Sequence, residues 1–206
     1  MDIDLIDSFK LENSFAKNYD FIAGIDEVGK GALAGPVVAG IVMFQRQDFD
    51  WIDQINDSKL LSKNKREKLD HLIKKNSIWS IGSVSNHVID QVGIDASVSF
   101  AMQLAITNLD IEPSMLLVDG TVQLLNSHLK YENIIKGDQK SVSIAAASIV
   151  AKVYRDTCMF QLDKVFPFYD FAANVGYGTK KHLDALKLNG PTTIHRNSFK
   201  PVKELV

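Results

Sequence analysis

The chain has almost no cysteine and no long apolar run, and each absence removes a class of protein. Cys158 stands alone among 206 residues, so no intrachain disulfide is available, which fits a reducing, cytoplasmic setting. The longest apolar stretch, Ala34 to Phe44, is eleven residues and is broken by Gly35, Pro36 and Gly40. That is too short for ~30 Å of hydrocarbon, so no membrane partner is expected. The first ten residues, MDIDLIDSFK, are acidic where a secretory leader is basic and then apolar. No internal repeat or low-complexity stretch is present. Net charge is also nearly absent at −2, which neither requires nor excludes a nucleic-acid partner.

What the chain does have is the composition of one folded domain. Hydrophobic residues at 46% and charged residues at 23% exclude disorder, collagen and coiled coil. The charge is unevenly spread. Residues 1–20 hold Lys10 and Lys17 against five acids, and read as an acidic N-terminal extension. Residues 177–206 hold six cations against Asp184 and Glu204, a basic end able to meet a polyanion. Charge alone favours a solvated face that balances the acidic N-terminal segment.

Apolar runs with turn signals predict strands at 21–25, 37–44, 77–85, 115–118 and 131–135. Helices are predicted from a Ser62 cap to about residue 75, over 95–109, over 142–166 up to Pro167, and from Thr179 to Gly190-Pro191. Two early strands followed by alternating helix and strand imply an α/β fold: a mixed sheet flanked by helices, with a helical C-terminal segment.

In such sheets sites form at the carboxyl ends of strands. Three acidic clusters sit there: Asp26 and Glu27 after FIAGI, Asp119 after MLLV, and Asp138 after ENIIKG. One acid after one strand is as a rule a turn former or helix cap. Three converging on one edge repel unless a cation sits between them, and oxygen-only ligands suit Mg²⁺ or Mn²⁺ better than zinc. Neighbours on a regular strand point to opposite faces, so Asp26 and Glu27 share a site only if the strand ends or bulges there. Gly29 and Gly31 supply backbone freedom for that, and the turn Gly29-Lys30-Gly31 exposes backbone groups to a ligand.

The helix from Val142 is apolar nearly all round, except for Ser148, Lys152 and Asp156 at i, i+4 and i+8. Lys152 and Asp156 can form an ion pair, or the stripe can face a polar site beneath it. Lys180 and Lys181 follow the Thr179 cap and oppose the helix dipole, which a phosphate outside the protein would offset. Tyr177, between two glycines, can offer its ring to a sugar or stand in a surface loop. Arg196 can touch phosphate or pair with an acid.

Together these segments resemble a known family. GIDEVGKGALAGPVV (24–38), DSKLLSKNKRE (57–67), LLVDG (116–120), KGDQKSVSIAAASIVAKVYRD (136–156) and GYGTKKHLDALKLNGPTTIHRNSF (176–199) are similar, in order, to the type 2 ribonucleases H of bacteria. The resemblance implies a ribonuclease H-like mixed sheet over residues 21–206, with residues from about 167 forming a substrate-binding helical segment. It implies endonucleolytic cleavage of RNA in RNA–DNA hybrids and at single ribonucleotides in duplex DNA, leaving 5′-phosphate and 3′-hydroxyl ends. Two Mg²⁺ or Mn²⁺ ions would be held by Asp26, Glu27, Asp119 and Asp138, with Asp156 in support. Gly29-Lys30-Gly31 would sense the ribose 2′-hydroxyl and Tyr177 would lie beside the junction. Ser148, Lys152, Lys180, Lys181 and Arg196 would serve as further substrate contacts. Lys30 stands where the family more commonly carries arginine, which keeps the backbone contacts and loses a bidentate fork. No obligate protein partner is implied. An inactive nucleic-acid-binding module on the same fold is the alternative, distinguished by a cleavage assay.

Overall fold

The structure is a computed structural model that describes residues 9–45, 47–55, 58, 61–125 and 128–205. Residues 1–8 of the acidic segment 1–20 therefore lie outside the described residues.

Five strands form one mixed sheet in the order β3-β2-β1-β4-β5. They are β1 (Ile22–Val28), β2 (Val37–Met43), β3 (Ile78–Val84), β4 (Met115–Asp119) and β5 (Tyr131–Ile134). The first three are antiparallel, and β4 and β5 run parallel to β1. The sheet is covered on both faces. Residue β2, VVAGIVM, is accordingly buried throughout and reads as a continuous apolar run rather than an alternating one.

Helix α4 (Ile94–Thr107) lies on one face, where Ile25, Leu116 and Val118 meet Val98, Met102 and Ala105. The 24-residue α5 (Val142–Val165) lies on the other. It comes so close that a Cβ on Gly24 would sit 2.2 Å from Ile144 N, and one on Gly40 2.5 Å from Ala147 O. Ile144, Ile149 and Val150 are fully buried there, and each contributes ~1.5–3 kcal/mol. Helix α2 (Lys63–Asn76) packs on the outside of α5 through Leu69 and Ile73, and starts at Ser62, whose side chain accepts from Lys65 N.

Three differences from the sequence reading have physical causes. Strand β1 does not stop at Ile25, because its ladder to β2 continues through Asp26↔Gly40, Glu27↔Ala39 and Val28↔Val38. A helix at 86–92 (α3), for which the sequence reading gave no element, precedes α4, the two separated by Gly93 at φ 84°. The N-terminal residues also form α1 (Lys10–Phe15), and its Glu12 is buried. Glu12 Oε1 accepts from Ser141 Oγ at 2.6 Å and Ser143 N at 2.9 Å, so it caps the first turn of α5 from a distance.

After α5 the chain forms α6 (Phe171–Asn174) and α7 (Lys180–Asn189) around a small core of Leu33, Met159, Tyr169, Phe171, Leu186 and Val202. This lobe is joined to the β1–β2 connection. Leu33 N donates to Gly176 O, Gly35 N to Ile194 O, and Arg196 N to Leu33 O. The connection therefore belongs to the sheet at its two ends and to the C-terminal lobe in its middle. Among the described residues no helix is long and apolar enough to cross a membrane.

Candidate active site

The register of β1 against β4 ends at Ile25↔Val118, so one step further brings Asp26 and Asp119 abreast. Alternation then decides which way each acid faces. Gly24 meets α5, so Asp26 lies on the α5 face, while Glu27 follows Ile25 toward α4. The strand neither ends nor bulges at Asp26 and Glu27, the two ways in which the sequence reading let them share a site. They flank the same sheet edge from opposite sides.

Burial holds the Asp26 carboxyl well above the ordinary carboxylate range, and the charges of Glu27 and Asp119 push it further. A hydrogen bond from Ser148 and one from Glu27 N, at 2.7 Å, act in the opposite direction. Ser148 Oγ lies 2.9 Å from Ser58 Oγ. A hydroxyl has one proton, so a Ser148 that donates to Asp26 accepts from Ser58. Ser148 thus holds an acid, where a substrate contact was expected.

Asp119 ends β4 and accepts from Gly137 N at 2.6 Å. Gly137 opens a short 3₁₀ turn (Gly137–Gln139) that carries buried Asp138. A Cβ at Gly137 would meet Ile144 Cδ1 at 2.6 Å and Asp119 Oδ1 at 3.1 Å, so the close fit of Asp138's turn under Asp119 requires glycine. Asp26, Glu27 and Asp119 thus lie within electrostatic reach of one another, and the turn that carries Asp138 is tied to Asp119. Among the described residues no three His, Cys, Asp or Glu side chains already stand as a metal cage. The donor set nevertheless fits divalent cations: the charges of Glu27 and Asp119, which add to burial in raising Asp26, are what a bound cation neutralises.

Beside the acids lies a cleft of about 490 Å³ lined by Glu27, Lys30, Asp95, Asp119 and residues of α4. Lys30 reaches across it to Asp95 at 2.8 Å, an exposed pair that the sequence did not single out. Gly29 takes φ 89°, but Gly31 has no positive φ. A Cβ on Gly31 would find only Tyr177 Cε1, at 4.0 Å. The glycine turn and Tyr177 thus face each other.

Other expected contacts fall elsewhere. Lys152 Nζ binds Asp156 Oδ1 at 2.7 Å, and Arg66 approaches Asp156 at 3.8 Å, on the wall of a second cleft. Lys180 is exposed at the start of α7, and Lys181 pairs with Asp170 at 2.9 Å. Arg196 is corrected outright. It is 0% exposed, and its guanidinium donates to the carbonyls of Gly29, Lys30 and Gly35, so no phosphate can reach it. Arg155, missed in the sequence, is its buried companion. Its signal was weak, because Arg155 stands beside Lys152, Asp156 and Thr157 in the more polar half of α5.

Comparison with known proteins agrees with this geometry. The family model described as Ribonuclease HII matches residues 23–202. The Ribonuclease HII of Lactobacillus acidophilus is 48% identical over 200 residues, covering 97% of this chain and 78% of that protein. That of Pelagibacter ubique is 46% identical over 187 residues, covering 90% and 98%. The crystal structure of the ribonuclease H2 from Pyrococcus horikoshii has the same fold, with a TM-score of 0.76 at 24% identity over 90% of this chain and 96% of that one. The chain therefore belongs to the ribonuclease HII family, divalent-metal-dependent endoribonucleases that act on RNA–DNA hybrids.

Proposed function

We propose that Asp26, Glu27, Asp119 and Asp138 form the catalytic metal site, and that Gly29-Lys30-Gly31 with Tyr177 confines cleavage to a ribose. The observation that carries this is the proximity of Asp26 to Asp119, one step beyond the Ile25↔Val118 pair at the carboxyl ends of two parallel strands and three residues before the turn that faces Tyr177. Mg²⁺ or Mn²⁺ bound there would lower the pKa of water and offset the charge gathering on the phosphate.

The protein's own groups do the rest. Ser148 keeps Asp26 directed to the sheet edge, and Gly137 N–H does the same for Asp119. The backbone of the turn meets the 2′-hydroxyl, the group that separates RNA from DNA. Tyr177 packs on the adjoining sugar. Water adds to phosphorus, the bond to the 3′-oxygen breaks, and the 3′-oxygen takes a proton, which leaves 5′-phosphate and 3′-hydroxyl ends. Lys180 and Lys181 bind flanking phosphates, while Lys152 and Asp156 support the helix from which Ser148 reaches Asp26.

On this reading residues 21–206 are one catalytic domain, and residues from about 167 are its nucleic-acid-holding segment. Residues 1–20 form an acidic extension whose Glu12 is structural. Substrates are RNA–DNA hybrids and duplex DNA holding single ribonucleotides, met in the cytoplasm. The test is cleavage, with Mg²⁺ or Mn²⁺, of one duplex sequence made with and without a single ribose. Incision 5′ to that ribose supports the reading, and equal cutting of the all-DNA duplex refutes it.

A further inference from the structure

Arg155 and Arg196 are fully buried, yet all six of their hydrogen bonds end on backbone carbonyls. Five of those carbonyls belong to the single connection between β1 and β2. Arg196 takes Gly29 at 2.7 Å, Lys30 at 2.9 Å and Gly35 at 3.1 Å. Arg155 takes Pro36 at 2.9 Å and Ala34 at 3.2 Å, and ties the same connection to Val175 at 2.8 Å. Burial, together with the charge of Arg155, pushes the Arg196 guanidinium down to about 9. A buried cation whose hydrogen bonds all end on neutral dipoles, with the Phe199 ring 5.1 Å from Arg196 and the Tyr177 ring 5.6 Å from Arg155, is an expensive way to fill space. Its effect must lie in what it does to those dipoles.

In a planar trans peptide the C=O and N–H point opposite ways. When Arg196 draws the carbonyls of Gly29 and Lys30 inward, the N–H groups of Lys30 and Gly31 are turned outward, to the side where Gly31 faces Tyr177. The rigid guanidinium fork fixes both peptide planes at once, which a lysine cannot do.

We propose that Arg196 is the positioning residue for ribose selectivity, setting the two peptide planes of Gly29-Lys30-Gly31 while Arg155 locks the far end of the connection. This rests on the reading above that the turn senses the 2′-hydroxyl.

The experiment compares the affinity of a duplex holding one ribonucleotide with that of its all-DNA twin, in EDTA, for the intact chain and for Arg196→Lys. The intact chain should prefer the ribose by roughly tenfold, one hydrogen-bonded hydroxyl's worth. Arg196→Lys should bring that ratio close to one while the all-DNA affinity is unchanged, and in Mn²⁺ it should lower kcat more than it raises KM. A folded Arg196→Lys with the original ratio overturns the proposal alone. An intact chain without any preference overturns the reading of the turn as well. Should Arg196→Lys fail to fold, amide hydrogen exchange on the intact chain decides. Ribose-dependent protection of Lys30 and Gly31 supports the proposal, and equal protection by both duplexes overturns it.

Discussion

His195 and His182 meet through their Nε2 atoms at 3.1 Å in the core of the C-terminal lobe, and their outer nitrogens fix the direction of that bond. His182 Nδ1 lies 2.9 Å from the carbonyl of Tyr177, so it must donate there, which leaves its Nε2 as an acceptor. His195 Nδ1 accepts from Thr192 N at 2.9 Å, so its Nε2 donates. Both rings are thus neutral, and together they hold the backbone of the tyrosine that faces Gly31.

Protonating either ring sets two N–H groups against each other, so stability should depend on pH. Burial pushes His182 below its usual value, and it pushes His195 to about 4, helped by His182. A base whose pKa is depressed by folding stabilises fully above its unfolded value near 6.5 and loses that contribution as pH falls toward the folded one. Between pH 7.5 and pH 5 the His195 contribution should fall by about 2 kcal/mol, measured by urea unfolding. His195→Gln should flatten the slope, and an unchanged slope would remove the pair from this role.

Gly29 and Gly31 should separate stability from selectivity. Gly29 combines φ 89° with a Cβ position 2.2 Å from Arg155 Nε, so Gly29→Ala should destabilise by ~2–3 kcal/mol. Gly31→Ala meets only Tyr177 at 4.0 Å, and should unfold within ~2 °C of the original. Its methyl enters the space between turn and tyrosine, and cleavage at a ribose should drop at least ~10-fold. Thermal scans and steady-state kinetics on the two variants check both halves.

Glu12→Ala removes the acceptor for Ser141 Oγ and Ser143 N at the start of α5, and should cost ~1–3 kcal/mol in urea unfolding. Glu12→Gln keeps a carbonyl oxygen at the same place and should recover at least half of that. Equal losses in the two variants would mean that the charge, not the cap, matters.

Lys180→Ala with Lys181→Ala should weaken duplex binding and lower the slope of log affinity against log salt by ~1–2. Lys181 is held by Asp170 and has to exchange that partner for phosphate, so Lys180→Ala alone should account for most of the change. A slope unmoved by the double substitution takes α7 off the nucleic acid.

How far the sequence could be read depended on whether a residue's partners lie near it in the chain. The ends of β1 and β4 near Asp26 and Asp119 were legible because each acid follows an apolar run, and α5 because its first half is almost entirely apolar. The helix caps at Ser62 and Thr179 were local, and both are found, accepting from Lys65 N and His182 N. Arg196 was misread because HRNS looks like a polar loop, whereas its carbonyl partners lie more than 160 positions away. The partners of Ser148 could not be named from the sequence, since Asp26 and Ser58 reach it only through the packing of α5 on the sheet. The strand order was hidden for the same reason: β1 pairs with β4 across some ninety residues.

The account turns on Asp119 acting together with Asp26, and single-turnover cleavage by Asp119→Asn tests it most directly. With the variant saturated by a duplex holding one ribonucleotide in Mn²⁺, affinity should stay within ~3-fold of the intact chain. The cleavage rate should fall by roughly a thousandfold, ~4 kcal/mol of lost transition-state stabilisation. A variant that binds normally and cuts within a few-fold of the intact rate would contradict it.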